Sequence, residues 1–140
     1  MGDCMKKISI CVCFIISALF ISGIAYSEIS LKAETETQRR NILLRYGWET
    51  GKLLEKETVH LPENEDAVYR IYNEIQKKAG LDLADYYGKT VTRYTYEVLN
   101  HKSAQKVRGN LLVCNGNLIA GDIMITSYRG FMHALNEKGV

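Results

Sequence analysis

The side chains in this sequence that could be combined into a reaction centre are His60, His101, His133, Cys114 and Asp122. A thiol nucleophile, an imidazole base and an acid that orients it form a working reaction template. Their spacing matches no nucleophile motif. Cys114 abuts Asn115-Gly116 at the end of an apolar stretch, where a small buried thiol is the ordinary occupant. His60 falls on the polar side of an alternating segment, and His101 belongs to a loop. His133 sits within Gly130-Phe-Met-His-Ala-Leu135 and reads as a packing, capping or partner-contact residue. There is no Cys-x-x-Cys, no His-Glu-x-x-His and no calcium loop, so a metal would need distant residues to converge. Neither a metal nor a cofactor is expected, and an envelope enzyme ranks third among the functional readings. Gly109, Gly116 and Gly121 form no phosphate cradle and fit strand ends and a turn.

Aromatic residues offer a binding chemistry instead. The chain holds nine tyrosines and one tryptophan. Tyr86-Tyr87 precedes Gly88 in a turn, and Tyr94 and Tyr96 share one strand face; such rings present an apolar surface and a hydroxyl to a glycan or peptide. Tyr86, Tyr87 and His133 are therefore the candidate partner-contact residues. The competing reading places Tyr69, Tyr72, Tyr94 and Tyr96 in a helix–sheet core.

The elements that position these residues follow an unusual first quarter. From Ile8 to Tyr26 nineteen residues carry no charge, and as a helix they would rise about 28 Å at roughly 1.5 Å per residue. That is close to a hydrocarbon core of about 30 Å. Two readings stay open: an uncleaved membrane anchor, or a signal peptide cut after the small-residue exit Ala25-Tyr26-Ser27. Lys6 and Lys7 precede the run and hold the short amino-terminal tail on the cytoplasmic side, so the carboxyl-terminal part is expected outside. Residues 1–27 are thus an anchor or signal segment, 28–36 a tether, and 37–140 one small extracytoplasmic domain.

Cys4, Cys11 and Cys13 lie before or inside the apolar run, which leaves Cys114 alone in the exported part and excludes an internal disulfide there. Without Lys6, Lys7 and Asp3 the chain has 16 basic and 15 acidic residues. Binding to nucleic acid normally needs a clear basic excess, so it is not an expected partner. Charge is uneven all the same. Residues 49–74 hold seven acids against three bases, and 77–140 five against nine.

A first helix is expected from a cap at Thr35 or Thr37, with Ile42, Leu43 and Tyr46 inward, ending at Gly47 with Trp48 folding back. A second starts around Pro62 to Glu65, sets Val68, Ile71, Tyr72, Ile75 and Ala79 on one packed face, and stops at Gly80-Leu81 in the same way. Between them Glu55 to Leu61 alternates as a strand. Three further strands are predicted at Thr90 to Leu99, Lys106 to Cys114 and Asn117 to Thr126, the last two joined by the Asn115-Gly116 hairpin signal. That hairpin pairs Val113 with Leu118 and Leu112 with Ile119. The expected class is α+β: helix, strand, helix, then a three-stranded antiparallel meander with both helices on one sheet face, preceded by a single transmembrane helix.

Several separated motifs carry a resemblance in order: Tyr46-Gly47-Trp48, Val59-His60-Leu61-Pro62, Val68 to Gln76, Gly88 to Tyr96, Asn110 to Val113, Gly121-Asp122 and Gly130 to Leu135. Together they resemble the bacterial domain-of-unknown-function family 4830. The resemblance implies a small bacterial envelope protein, often with one amino-terminal membrane segment, and supplies no catalytic residues.

The function expected from the sequence is a membrane-tethered extracytoplasmic binding or interaction module. It would contact the membrane through residues 8–26 and an unidentified protein or cell-wall partner through its domain. A secreted accessory or inhibitor-like protein, released near Ser27, is the alternative.

Overall fold

The computed structural model describes residues 31–127 and 129–138. The expected membrane segment, residues 8–26, lies outside them. Among the described residues no helix is long and apolar enough to cross a membrane.

Helix α1 spans Glu36–Arg45. Its start is a reciprocal capping box: the backbone N–H of Gln38 donates to the Thr35 hydroxyl, and the Gln38 side chain accepts from the Thr35 N–H. Its end is set by Gly47 at φ +88°, where the N–H of Trp48 reaches back to the carbonyl of Leu43 and that of Gly47 to Leu44. Helix α2, Ala67–Lys78, is capped by Asp66 and closes by the same device at Gly80, with Leu81 bonded back to Gln76. A short 3-10 turn, Ala84–Tyr86, leads from α2 to the sheet.

The strands are β1 (Thr50–His60), β2 (Thr90–Val98), β3 (Val107–Cys114), β4 (Asn117–Ile125) and β5 (Met132–Ala134). They form one antiparallel sheet in the order β1-β2-β3-β4-β5. The expected three-stranded meander is therefore corrected to five strands, for two reasons. β1 joins the sheet along β2, and its first residues escape alternation because the register shifts between Thr50 and Leu53 and again before Glu55. β5 is three residues long and pairs on the outer edge of β4, too short to show a period in the sequence.

The helices also lie on opposite faces, not one. Alternation sends Tyr96, Val98, Val107, Leu111 and Ile123 to the first face, where α1 lays Ile42 and Leu43 and Trp48 follows. The second face takes Val91, Leu112, Cys114 and Ala120, covered by Leu61, Leu83 and the α2 residues Tyr69 and Tyr72. The hairpin turn uses Asn115 and Gly116 at φ +49° and +75°, the pairing that suits strand twist. Val113 pairs with Leu118 as expected. A bulge then sets Leu112 opposite Ala120 in place of Ile119.

Gly109 and Gly121 are not strand-end residues but sit inside β3 and β4. A Cβ on Gly109 would press on Val98 and Leu43 at 3.2 and 3.3 Å, and one on Gly121 would lie 2.6 Å from Leu135. Each glycine thus admits a neighbour. The segment assigned to the tether is, from Leu31 on, part of this domain: Ala33 and Leu118 exchange backbone bonds with Gly116 and Leu31. Arg39 fastens it, donating to the carbonyls of Ala33 and Glu34 at 3.0 and 2.7 Å and to the Tyr96 hydroxyl at 3.0 Å, with its guanidinium 3.7 Å over Tyr94.

Candidate functional site

The apolar stripe of α2 was expected to be packed, and two of its five residues are not. The helix buries Asn73 and Gln76 instead, while Val68 and Ile71 are 72% and 66% exposed. The reason is backbone satisfaction. Asn73 accepts from the Leu83 N–H at 2.8 Å and donates to Asp82 at 2.9 Å, fixing the loop after the helix. Gln76 accepts from the Gly121 N–H at 2.7 Å on the outer edge of β4, just beyond the residues that β5 pairs. With Asn73 and Gln76 held inward by these three bonds, α2 is rotated on its axis and Val68 and Ile71 face outward.

The rotation opens a groove of about 520 Å³ between α2 and the second sheet face. Val68, Ile71 and Ile75 form one wall, and Val59, Leu112, Met124 and Met132 line the rest. The floor is polar and built by register. Thr95, Asn110 and Asp122 are directly opposite one another across β2, β3 and β4. The Thr95 hydroxyl donates to Asn110 Oδ1 at 2.8 Å, Asn110 Nδ2 donates to Asp122 Oδ1 at 2.9 Å, and the Tyr72 hydroxyl donates to Asp122 Oδ2 at 2.9 Å. Burial pushes the Asp122 carboxyl up, against the pull of its bonds to Asn110 and Tyr72 and of the Arg93 charge. Burial and then Asp122 hold the Tyr72 phenol well above its ordinary value. Arg93 completes the floor, paired with Glu57 and, at 3.8 Å, with Glu55. Its Nε is buried and has no acceptor among the described residues.

The residues picked from sequence are placed elsewhere. Tyr86 and Tyr87 are half-buried against the second core cluster, Tyr87 donating to Glu65 and packing edge-on to Tyr69 at 6.3 Å. Burial, then Glu65, push the Tyr87 phenol up to about 12. His133 is buried on the other side of the sheet, opposite Ile123 and beside His101. The three do not converge. Cys114 is a free, buried thiol, and His60 is exposed beside Thr90 and Glu63. Among the described residues no group of three or more His, Cys, Asp or Glu is placed to hold a metal ion.

Residues 42–123 match the family described as domain of unknown function DUF4830. The chain belongs to DUF4830. No curated protein and no solved structure matches it. The DUF4830 match contains α2, the three strand residues of the polar row and Arg93, while Met124 and Met132 on the far wall fall outside it. What sequence reasoning missed was Asn110 and Arg93. Alternation places both on the second face, but only the paired register shows that they share a floor.

Proposed function

We propose that this protein is a binding module of the bacterial envelope, tethered by residues 8–26 with its domain outside, and that the groove under α2 receives an apolar segment of a partner polypeptide. The observation that carries the reading is the wall of α2. Val68, Ile71 and Ile75 repeat at the spacing with which a helix packs on another element, yet Val68 and Ile71 stay largely in water. Met124 and Met132 opposite them are unbranched and adapt to varied side chains. The Arg93 Nε at the floor offers a buried donor to a backbone carbonyl. Support for the location comes from the uncharged run Ile8 to Tyr26 with Lys6 and Lys7 before it. An enzyme is not proposed, since Cys114 and Asp122 share a sheet face from which His133 is absent.

Selection of a displayed random-peptide library on the full chain in detergent tests the groove. Apolar peptides should be enriched, and Ile71→Asp should weaken them at least tenfold with an unchanged melting temperature. Leu44→Asp, on the exposed side of α1, should leave binding intact. Peptides indifferent to Ile71→Asp would overturn the assignment, and capture of dodecanoate in their place would reassign the groove to acyl chains. The intact mass of the native protein tests the tether. Loss of residues 1–27 would make the protein secreted, and protection of the domain from protease on intact cells would remove it from the outside.

A further inference from the structure

His101 and His133, 32 residues apart, meet with their Nε2 atoms 3.2 Å from each other. Their other contacts fix where the protons sit. The Ser103 backbone N–H donates to His101 Nδ1 at 3.0 Å, so that nitrogen holds a lone pair and the neutral ring carries its proton on Nε2. His133 Nδ1 lies 2.9 Å from the Ala134 carbonyl, which only accepts, so His133 carries its proton there and presents a lone pair on Nε2. The contact between the rings is then an N–H···N bond from His101 to His133. All four ring nitrogens are used, in one direction, from Ser103 to Ala134.

An added proton finds no seat in this relay. On His101 Nδ1 it would confront the Ser103 N–H, and on His133 Nε2 it would confront the His101 N–H. We infer that the relay is an acid-released latch, holding the loop 101–106 against β5 and Trp48 only while both imidazoles are neutral. The loop is hinged at Asn100, whose side chain is pinned to Glu49 and Gly47 at 2.8 and 2.9 Å. What the loop covers is aromatic. Trp48 stacks on His101 at 5.5 Å between centroids, and Phe131 lies 5.6 and 5.5 Å from His101 and His133.

The charges around the pair come from the loop, β4 and the segment after β5. Lys102 is on the loop itself, Lys138 after β5 lies 4.5 Å over the Trp48 ring, and the carboxylates of Asp122 on β4 and Glu137 after β5 are within electrostatic reach of His133. Burial first, then His133 and Lys102, hold His101 below the ordinary histidine value. The released loop therefore binds more protons than the latched one, so the latch is intact above the ordinary imidazole range and weakens as pH falls through it. Release grows by up to about tenfold per pH unit for the proton taken up at His101.

Imidazole nitrogen NMR and Trp48 emission on the full chain test this, Trp48 being its one tryptophan. At about pH 7.5 His101 should be the Nε2–H tautomer and His133 the Nδ1–H tautomer, and lowering the pH to about 5 should shift the emission to the red. His101→Phe keeps the stack without the titration and should abolish the shift. Other tautomers, or an equal shift in His101→Phe, would overturn the latch. If that variant does not fold, exchange of the Ser103 amide in the natural chain decides: its protection, relative to the intrinsic rate, should fall at least tenfold between the two pH values, and constant protection would refute the inference.

Discussion

Asp122 is the point at which the groove floor can be broken in two distinguishable ways. Its carboxylate is buried and accepts one bond from Asn110 and one from Tyr72. In Asp122→Asn the side-chain oxygen keeps the Asn110 bond, and the new amide donates to a Tyr72 hydroxyl that rotates to accept it. The Tyr72 O–H can turn to the groove, and the second amide N–H is left without an acceptor, so the stability near pH 7 should fall by about 1 kcal/mol, less than for removal of the whole side chain. Asp122→Ala leaves the Asn110 amide buried without an acceptor, at about 1–3 kcal/mol, and removes packed volume beside it. The expected loss is about 2–4 kcal/mol, the Tyr72 hydroxyl adding little because it can turn to the groove. The pH dependence gives a second sign. Burial raises the folded carboxyl above its unfolded value, so the folded state binds the extra proton, and the Asp122 contribution weakens as pH rises through the ordinary carboxylate value toward the folded one. Asp122→Asn should accordingly gain on the natural protein as pH is raised across that window. Urea unfolding followed by Trp48 fluorescence at several pH values measures both effects. If Asn proves as damaging as Ala at neutral pH, the hydrogen-bond assignment of the floor is wrong.

Gly80 tests the helix ends in isolation, because a Cβ there would meet nothing within 4 Å while φ is +77°. Gly80→Ala should cost about 1–2 kcal/mol from backbone conformation alone, and Gly80→Asn less; equal melting temperatures for all three would refute the left-handed cap. Tyr86→Ala with Tyr87→Ala removes two half-buried rings from the second core cluster and should cost about 3 kcal/mol, roughly half of two full aromatic truncations. An unchanged thermal transition would return those rings to the role of an exposed platform.

Legibility of the fold followed the range of the interactions. Gly47 with Trp48, Gly80 with Leu81 and Asn115-Gly116 each settle their geometry within a few residues, and the sequence states them, whereas the choice between Thr35 and Thr37 as the first cap rests on the reciprocal bonds to Gln38. β5 was illegible because Met132–Ala134 becomes a strand only by pairing with β4. The inward face of α2 was misread for a related reason. Val68 and Ile71 satisfy the helical period, but the bonds that Asn73 and Gln76 make to Leu83 and Gly121 outweigh it. Tyr86 and Tyr87 were singled out by their turn position, which says nothing of how far Tyr69 reaches toward them. The relay at His101 and His133 needs residues 32 apart and both tautomers, and no spacing rule anticipates it.

The outer edge of β4 carries a consequence for how the chain reaches this state. That edge is closed by three unrelated pieces: the backbone of Leu31 and Ala33, the side chain of Gln76, and β5. The β3–β4 hairpin, local and joined by a two-residue turn, forms early, whereas its covers arrive from far along the chain in both directions. Between those events an apolar strand stands with its N–H and C=O groups free for another molecule's edge. Refolding yield should therefore fall with protein concentration, and the stretch most exposed to that traffic is Leu118 to Ile125.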